Sequence, residues 1–313
     1  MNSNNSSEHQ SVMMPEIISG LKIKASGTYI DATFGRGGHT RAILARLNST
    51  GRVLVIDQDP LAIEAALQLQ RMDTRVMVCH GSFAKIADFC QQQGIIGQVN
   101  GILFDLGVCS TQLDCANRGF SFLRDGPLDM RMDPGSGVSA ATWLNTANEQ
   151  NIALVLKTYG EEKFARRIAR AIVHKRKVTK ITNTVQLANI IAKAMPVIEQ
   201  HKHPATRSFQ AIRIYINNEL AVLQQALACL TPLLAAHGRL VVLSFHSLED
   251  RIVKQFIANK AKGDNFPIKL PIVHNELKPI LRKIGKALKP SNDEILNNIR
   301  ARSAILRIAE KYD

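Results

Sequence analysis

The chain has 313 residues, 45% of them hydrophobic, enough to bury a large core with room for two domains. Its net charge of +14 favours a polyanionic partner, nucleic acid before membrane. No apolar run reaches membrane-spanning length, the polar Met1–Gln10 stretch excludes a secretory signal, and five scattered cysteines without a Cys-x-x-Cys pair or His cluster fit free thiols in a reducing cytoplasm.

Strand and helix signals alternate through the first third. Tyr29–Phe34 reads as a strand and runs into Gly35, Gly37 and Gly38, after which Arg41–Leu47 reads as helix. Glycine lets the backbone turn sharply and lets a ligand approach the main chain. The helix N-terminus beyond it offers unpaired N–H groups. A second strand, Arg52–Asp57, opens into Asp59-Pro60 and a helix from Leu61 to about Gln70. Arg75–Cys79 is the third strand, followed by His80-Gly81-Ser82-Phe83 and a helix to about Gln92. Val99–Leu106 is the fourth. Repeated units of this kind predict a parallel sheet with helices on both faces, binding its ligand at the carboxyl ends of the strands.

The alternation then stops. Arg118–Ser136 is rich in Gly, Pro and Asp without periodicity, which predicts a long loop or flap. Asn148–Lys157, Glu161–Lys175 and Thr184–Ala194 carry helical spacing. Arg239–Phe245 returns to strand, Leu248–Ala258 to helix, and Ser303–Ala309 reads as a last strand. An α/β domain formed by 1–115 and 216–313 is thus interrupted by a helical insertion at 116–215. That insertion carries 16 Lys+Arg against 7 Asp+Glu, most of the basic excess. The run Lys157–Lys180 alone has nine basic and two acidic residues, which reads either as a solvated helix face or as a phosphate-contacting surface.

Four constellations carry chemistry. The glycine turn is followed, 22 residues after Gly35, by Asp57, placed to accept hydrogen bonds from ribose hydroxyls. The nicotinamide fingerprint needs a third glycine where this chain has Thr40, while Asp31 four residues before Gly35 gives an acid-x-x-x-Gly-x-Gly pattern that resembles the first motif of Rossmann-like methyltransferases. A purely structural glycine turn is the alternative. At the ends of strands three and four, Phe83 is placed to pack on an adenine ring, or else to serve as core. Asp105 ends an apolar strand where burial without partners is costly, and so belongs at the exposed edge near the glycines. Its alternative is helix capping. In Leu243-Ser-Phe-His246-Ser247-Leu-Glu-Asp-Arg251, Ser247 is placed to cap a helix with Asp250 three residues on. His246 reads as an acid/base or substrate contact, or as a structural histidine. Finally, Arg207, Gln210 and Arg213 lie three apart on a helical pattern and would line one polar stripe, suited to RNA or to surface ion pairs.

Together these segments resemble the bacterial 16S ribosomal RNA cytosine-N4 methyltransferase family, the MraW or RsmH proteins. The residues that carry the resemblance are Tyr29–His39, Ile56–Pro60, His80–Phe83, Gly101–Asp114 and Arg118–Pro134, then Lys157–Ala171, His203–Glu219, Ser244–Arg251 and Ala301–Glu310. They follow family order over nearly the whole chain, with gaps at the polar N-terminus and Ala258–Leu281. The resemblance implies a Rossmann-like class I S-adenosylmethionine-dependent methyltransferase fold with an inserted helical domain. It places cofactor contacts at Gly37, Gly38, His39, Asp57, Phe83, Asp105 and Gln112. It implies methyl transfer to N4 of a cytidine in the decoding region of 16S rRNA, with Asp105 as candidate acceptor. The insertion then becomes the RNA platform, through Lys163, Arg166, Arg167 and Arg170 and the stripe Arg207, Gln210 and Arg213. Ala32 replaces a usual glycine, and Cys109 and Thr111 stand where the family has Ser-Ser-Pro, which loosens the expected Gln112 contact. The expected partner is the small ribosomal subunit, met in the cytoplasm by a monomer or homodimer without a membrane. Two other classes stand beside this one: a nicotinamide oxidoreductase with a basic appendage, and a non-catalytic RNA-binding assembly factor.

Overall fold

The computed structural model describes residues 11–197, 203–263 and 278–313. The Met1–Gln10 stretch and the larger part of Ala258–Leu281 lie outside the described residues. The chain divides into two compact units, one formed by Met1–Gly107 with Leu220–Asp313 and the other by Val108–Glu219.

The first part of unit one contains α1 (Met14–Leu21), β1 (Thr28–Asp31), α2 (Gly38–Leu44), β2 (Arg52–Asp57), α3 (Pro60–Met72), β3 (Val76–His80), α4 (Ile86–Gln92) and β4 (Val99–Asp105). Unit two holds α5 (Ser110–Asp114), α6 (Ala140–Thr146), α7 (Glu149–Gly160), α8 (Ala165–Val178), α9 (Thr184–Ala194) and α10 (Thr206–Ile216). The chain then continues through α11 (Glu219–Cys229), β5 (Leu234–Ser244), α12 (Ser247–Lys262), β6 (Leu281–Lys283), α13 (Asn292–Asn297) and β7 (Ile305–Lys311).

Unit one is built on a seven-stranded sheet of order β3-β2-β1-β4-β5-β7-β6. β1 to β5 are mutually parallel, as their uninterrupted apolar runs require of strands covered on both faces. In β2, Leu54 and Ile56 enter one core with Ile30, Ile102 and Phe104. Val53 and Val55 enter the other with Tyr29, Leu103 and Val241. The expected parallel sheet is joined at its end by a strand of opposite direction: β7 pairs antiparallel with both β5 and β6. Strand order reverses between β1 and β4, so their carboxyl ends flank the crevice where such sheets bind ligands. Capping fixes the helices that follow the strands. Asp59 accepts from the Leu61 N–H at 3.0 Å while Pro60 occupies the first turn of α3.

Unit two packs α6 to α10 around a separate core of Trp143, Leu144, Ile168, Ile172, Leu187 and Ile212. The unperiodic Arg118–Ser136 stretch is irregular, as expected, but tied down. Arg118 Nη2 donates to the carbonyls of Arg131 and Met132, and Asn217 bonds to Met130 and Met132. Elements that the sequence reading passed over are α1, α5, α6, α11, α13 and β6. α8 begins at Ala165 rather than Glu161, because Glu161 takes φ 48° and ends α7.

Candidate active site

The site in unit one is assembled at the ends of β1, β2 and β4. The glycine turn leaves β1 with Gly35 at φ 53° and Gly37 at φ 72°, conformations that side chains resist. A Cβ on Gly37 would also stand 2.6 Å from the Phe34 ring, and one on Gly38 would stand 2.0 Å from Ser11 Oγ. The turn is therefore closed on its protein side by Phe34 and by the segment before α1.

Asp57 ends β2 and holds the turn in place. Its Oδ2 accepts from the Gly35 N–H at 2.8 Å and its Oδ1 from the Asp59 N–H at 2.9 Å. Burial raises its pKa against these bonds. The Gln58 main chain bonds to the carboxylate as well, and a carboxylate's roughly four acceptor positions still leave room for a ribose hydroxyl to donate. Phe83 begins a single 3-10 turn after β3 and meets Phe104 edge to face at 5.4 Å. It is half-buried and joins the rim of one core.

Asp105 ends β4. Its backbone N–H donates to Thr33 Oγ1 at 2.7 Å, which locks strand end to glycine turn. The side chain keeps 28% exposure, yet Oδ1 is sealed and has no hydrogen-bond partner among the described residues. Burial, then the charge of Glu249, pushes its pKa up to about 7. Oδ2 stands 3.5 Å from His39 Nδ1, while His39 Nε2 lies 3.1 Å from the Val12 carbonyl. Behind them Asp31 accepts from the Thr40 hydroxyl at 2.6 Å and from the Thr33 N–H at 3.2 Å. Burial pushes Asp31 up to about 6 and lowers His39.

Several expected roles change. His246 is the N-cap of α12: its Nδ1 accepts from the Glu249 N–H, and Glu249 Oε2 accepts from the Phe245 N–H at 2.9 Å. The helix thus starts one residue before the cap read from Ser247. Asp250 makes a bidentate pair with Arg307 instead. His246 thus has the structural role that the sequence reading kept as an alternative, and Glu249, passed over in the sequence, is the neighbour whose charge adds to burial at Asp105. The signal was present as Glu three residues after His246.

In unit two, Gln112 is buried and its Oε1 accepts from the Cys109 N–H at 3.1 Å, closing the first turn of α5. Cys109 Sγ and Thr111 Oγ1 lie 3.0 Å apart and tie this loop together. The stripe Arg207, Gln210 and Arg213 on α10 is partly buried. Arg213 is bidentate with Glu219, at 15% and 9% side-chain exposure, and Gln210 Nε2 donates to the Tyr159 carbonyl. Arg207 is half-buried beside them on the same helix. The sequence reading's alternative for this stripe, ion pairing, describes Arg213. By contrast Lys163, Arg166, Arg167 and Arg170 are all exposed. Arg170, 78% exposed, makes only a long 3.8 Å approach to Glu149.

A glycine turn that admits no Cβ, an acid at the end of β2 and an orphaned acceptor at the end of β4 fit a ribose-bearing cofactor with a reacting group near Asp105. With this strand order and an antiparallel β7, they fit the class of Rossmann-like, S-adenosylmethionine-dependent methyltransferases, and the sequence comparisons place the chain in it. Residues 6–312 match the MraW methylase family. A curated relative from Alteromonas mediterranea, ribosomal RNA small subunit methyltransferase H, is 54% identical over 309 residues, 98% of each chain. The chain belongs to the MraW methylase family. Among solved structures, a protein from Clostridium thermocellum provisionally described as an rRNA methylase aligns at TM-score 0.46 and 12% identity, over 96% of this chain and 98% of that one. A Streptococcus mutans protein provisionally described as a methyltransferase, in complex with SAH, aligns at 0.43 and 12%, again over 96% and 98%. Neither the oxidoreductase nor the non-catalytic reading draws support from these comparisons.

Proposed function

We propose that this protein methylates N4 of a cytidine in the decoding region of small-subunit ribosomal RNA, in the cytoplasm, as a monomer or homodimer. The observation that carries the reading is Asp105 Oδ1, a buried acceptor without a partner beside the glycine turn. The family's curated relative is named for the small ribosomal subunit, which supplies the substrate class.

S-adenosylmethionine, when bound, supplies a methyl group on a positively charged sulfur. Gly37 and Gly38 would admit it, Asp57 would hold its ribose and Phe83 would pack on its adenine. Cytosine N4 is a poor nucleophile because its lone pair is delocalised into the ring. Holding the amine in line is worth roughly 7–11 kcal/mol. Asp105 accepts a hydrogen bond from the amine and lets the lone pair localise, at about 1.5–3 kcal/mol for a charge-assisted bond. That bond strengthens as the amine becomes cationic, so it acts on the rate rather than on binding alone. A stacked base does not reach such a site and must be drawn out of the helix. The exposed cations of α8 and the residues before it form the RNA platform in unit two, which is the basic inserted domain.

Methyl transfer to small subunits from a strain lacking the activity, followed by mass spectrometry of the modified nucleoside, tests the reading. N4-methylcytidine is the expected product. A C5-methyl or ribose-methyl product would overturn the N4 assignment.

A further inference from the structure

Behind Asp105 sits a buried histidine with a fixed tautomer. His39 is on the first turn of α2 and 6% exposed. Its Nε2 lies 3.1 Å from the Val12 carbonyl oxygen. A carbonyl oxygen only accepts, so Nε2 carries the proton and Nδ1 keeps a lone pair. That lone pair faces Asp105 Oδ2 at 3.5 Å. Two lone pairs at this distance repel, and a proton on Oδ2 turns the approach into attraction. Burial acts in the same direction, since it lowers His39 and pushes Asp105 up to about 7. The pair therefore holds one proton between Oδ2 and Nδ1, while Oδ1 is a buried acceptor without a partner among the described residues.

We propose that His39 is the terminal acceptor of the proton released by the methylated amine, reached through the Asp105 carboxyl group. The inference rests on reading Asp105 as the acceptor for that amine. The N4–H bond breaks as Oδ1–H forms, and Oδ2–H breaks as Nδ1–H forms. Asp105 begins and ends neutral, and the positive charge gained by the amine ends on the imidazole. Asp31 on β1 faces the imidazole with its carboxylate held by Thr40, and supplies the opposite charge. Glu249 on α12, itself beside His246, faces Asp105 and favours its neutral form. His39 acts through Asp105 and is a positioning residue. When Asp105 is ionised, the carboxylate takes the proton directly and the relay to His39 is not required.

Two measurements test this. Nitrogen-15 NMR of the imidazoles in the cofactor-free protein, with His39 assigned from its loss in His39→Gln, reads the tautomer across roughly pH 5–8. A protonated Nε2 and bare Nδ1 are expected, and the reverse tautomer overturns the proposal without any variant having to be active. The second is single-turnover methylation of small subunits against pH, with cofactor affinity measured alongside. The native protein should be flat through the Asp105 titration, because both carboxyl forms serve. His39→Gln should lose about tenfold per pH unit below that titration, where only the scarce carboxylate can accept a proton. Parallel profiles, with one ratio at every pH, would mean that His39 is merely structural. If Asp105→Asn keeps the full rate, the acceptor reading itself fails. If Asp105→Asn is impaired while the His39→Gln profile stays parallel, only the relay fails.

Discussion

Replacing Asp105 by asparagine should raise stability and lower activity together. The carboxyl group titrates at about 7 instead of its ordinary 3.8, chiefly through burial and secondarily through Glu249. A folded-state pKa raised above the unfolded one means that the native state holds the proton more tightly. The resulting stability is fully present below about pH 4 and is lost as pH rises toward 7. Three units at roughly 1.4 kcal/mol each give about 4 kcal/mol of penalty for the ionised group, an upper bound because the side chain retains some exposure. Asn carries no charge and escapes that penalty. Urea unfolding of the cofactor-free protein should find native and Asp105→Asn equal near pH 4, and the variant more stable by up to about 4 kcal/mol near pH 8. Methyl transfer should fall by about 10- to 100-fold, the worth of one charge-assisted hydrogen bond. A stability difference that is the same at both pH values, or a variant weaker at pH 8, would refute the claim that a buried, poorly compensated carboxylate sits at the end of β4.

Other consequences are as direct. Gly37→Ala must adopt φ 72° with its Cβ 2.6 Å from Phe34. Left-handed strain and overpacking cost about 1–3 kcal/mol each, so calorimetry should show cofactor affinity down at least tenfold, and unchanged affinity would remove the turn from the cofactor site. Neutralising Lys163, Arg166, Arg167 and Arg170 together should flatten the salt dependence of RNA binding by about 3 in log–log slope. Cofactor affinity should stay as it was, and an equal loss of both would contradict a division of labour between the units. Arg213→Ala leaves Glu219 half-buried without its bidentate partner and should cost about 3 kcal/mol in unfolding experiments. Weaker RNA binding at native stability would restore Arg213 to the RNA surface. His246→Ala removes a cap worth about 1 kcal/mol and should lower stability while sparing the rate of methyl transfer. A collapse of that rate in a folded variant would return His246 to the chemistry.

The residues that were legible in the sequence are those whose type and position share one cause. Glycines at positive φ, an apolar run ending in an acid, and a polar residue before Pro60 each leave a local mark. β1 to β5 could be read because parallel strands buried on both faces are apolar throughout. What escaped depends on distance. The direction of β7 is set by its pairing with β5 and leaves no trace in its own residues. Arg213 reads as a surface cation until Glu219, six residues later, turns back to meet it. His246 and Glu249 were misread by one position, because Ser247 and Asp250 offer the same capping pattern one residue on. The perturbation of Asp105 comes chiefly from burial and secondarily from Glu249, and no spacing along the chain connects Glu249 to it.

The split of unit one has a consequence for how the protein is made. β4 pairs on one side with β1, already synthesised, and on the other with β5, which lies about 130 residues further along. At roughly 5–20 residues per second, that partner arrives on the order of ten seconds later. Meanwhile Val108–Glu219, with its own hydrophobic core, can collapse before the sheet is complete. The β4 edge, apolar and unpaired, is exposed throughout that interval, and a strand from another nascent chain could add to it. Chaperone demand should therefore peak while the inserted unit is emerging, and a permuted chain that places β5 directly after β4 should refold with less aggregation.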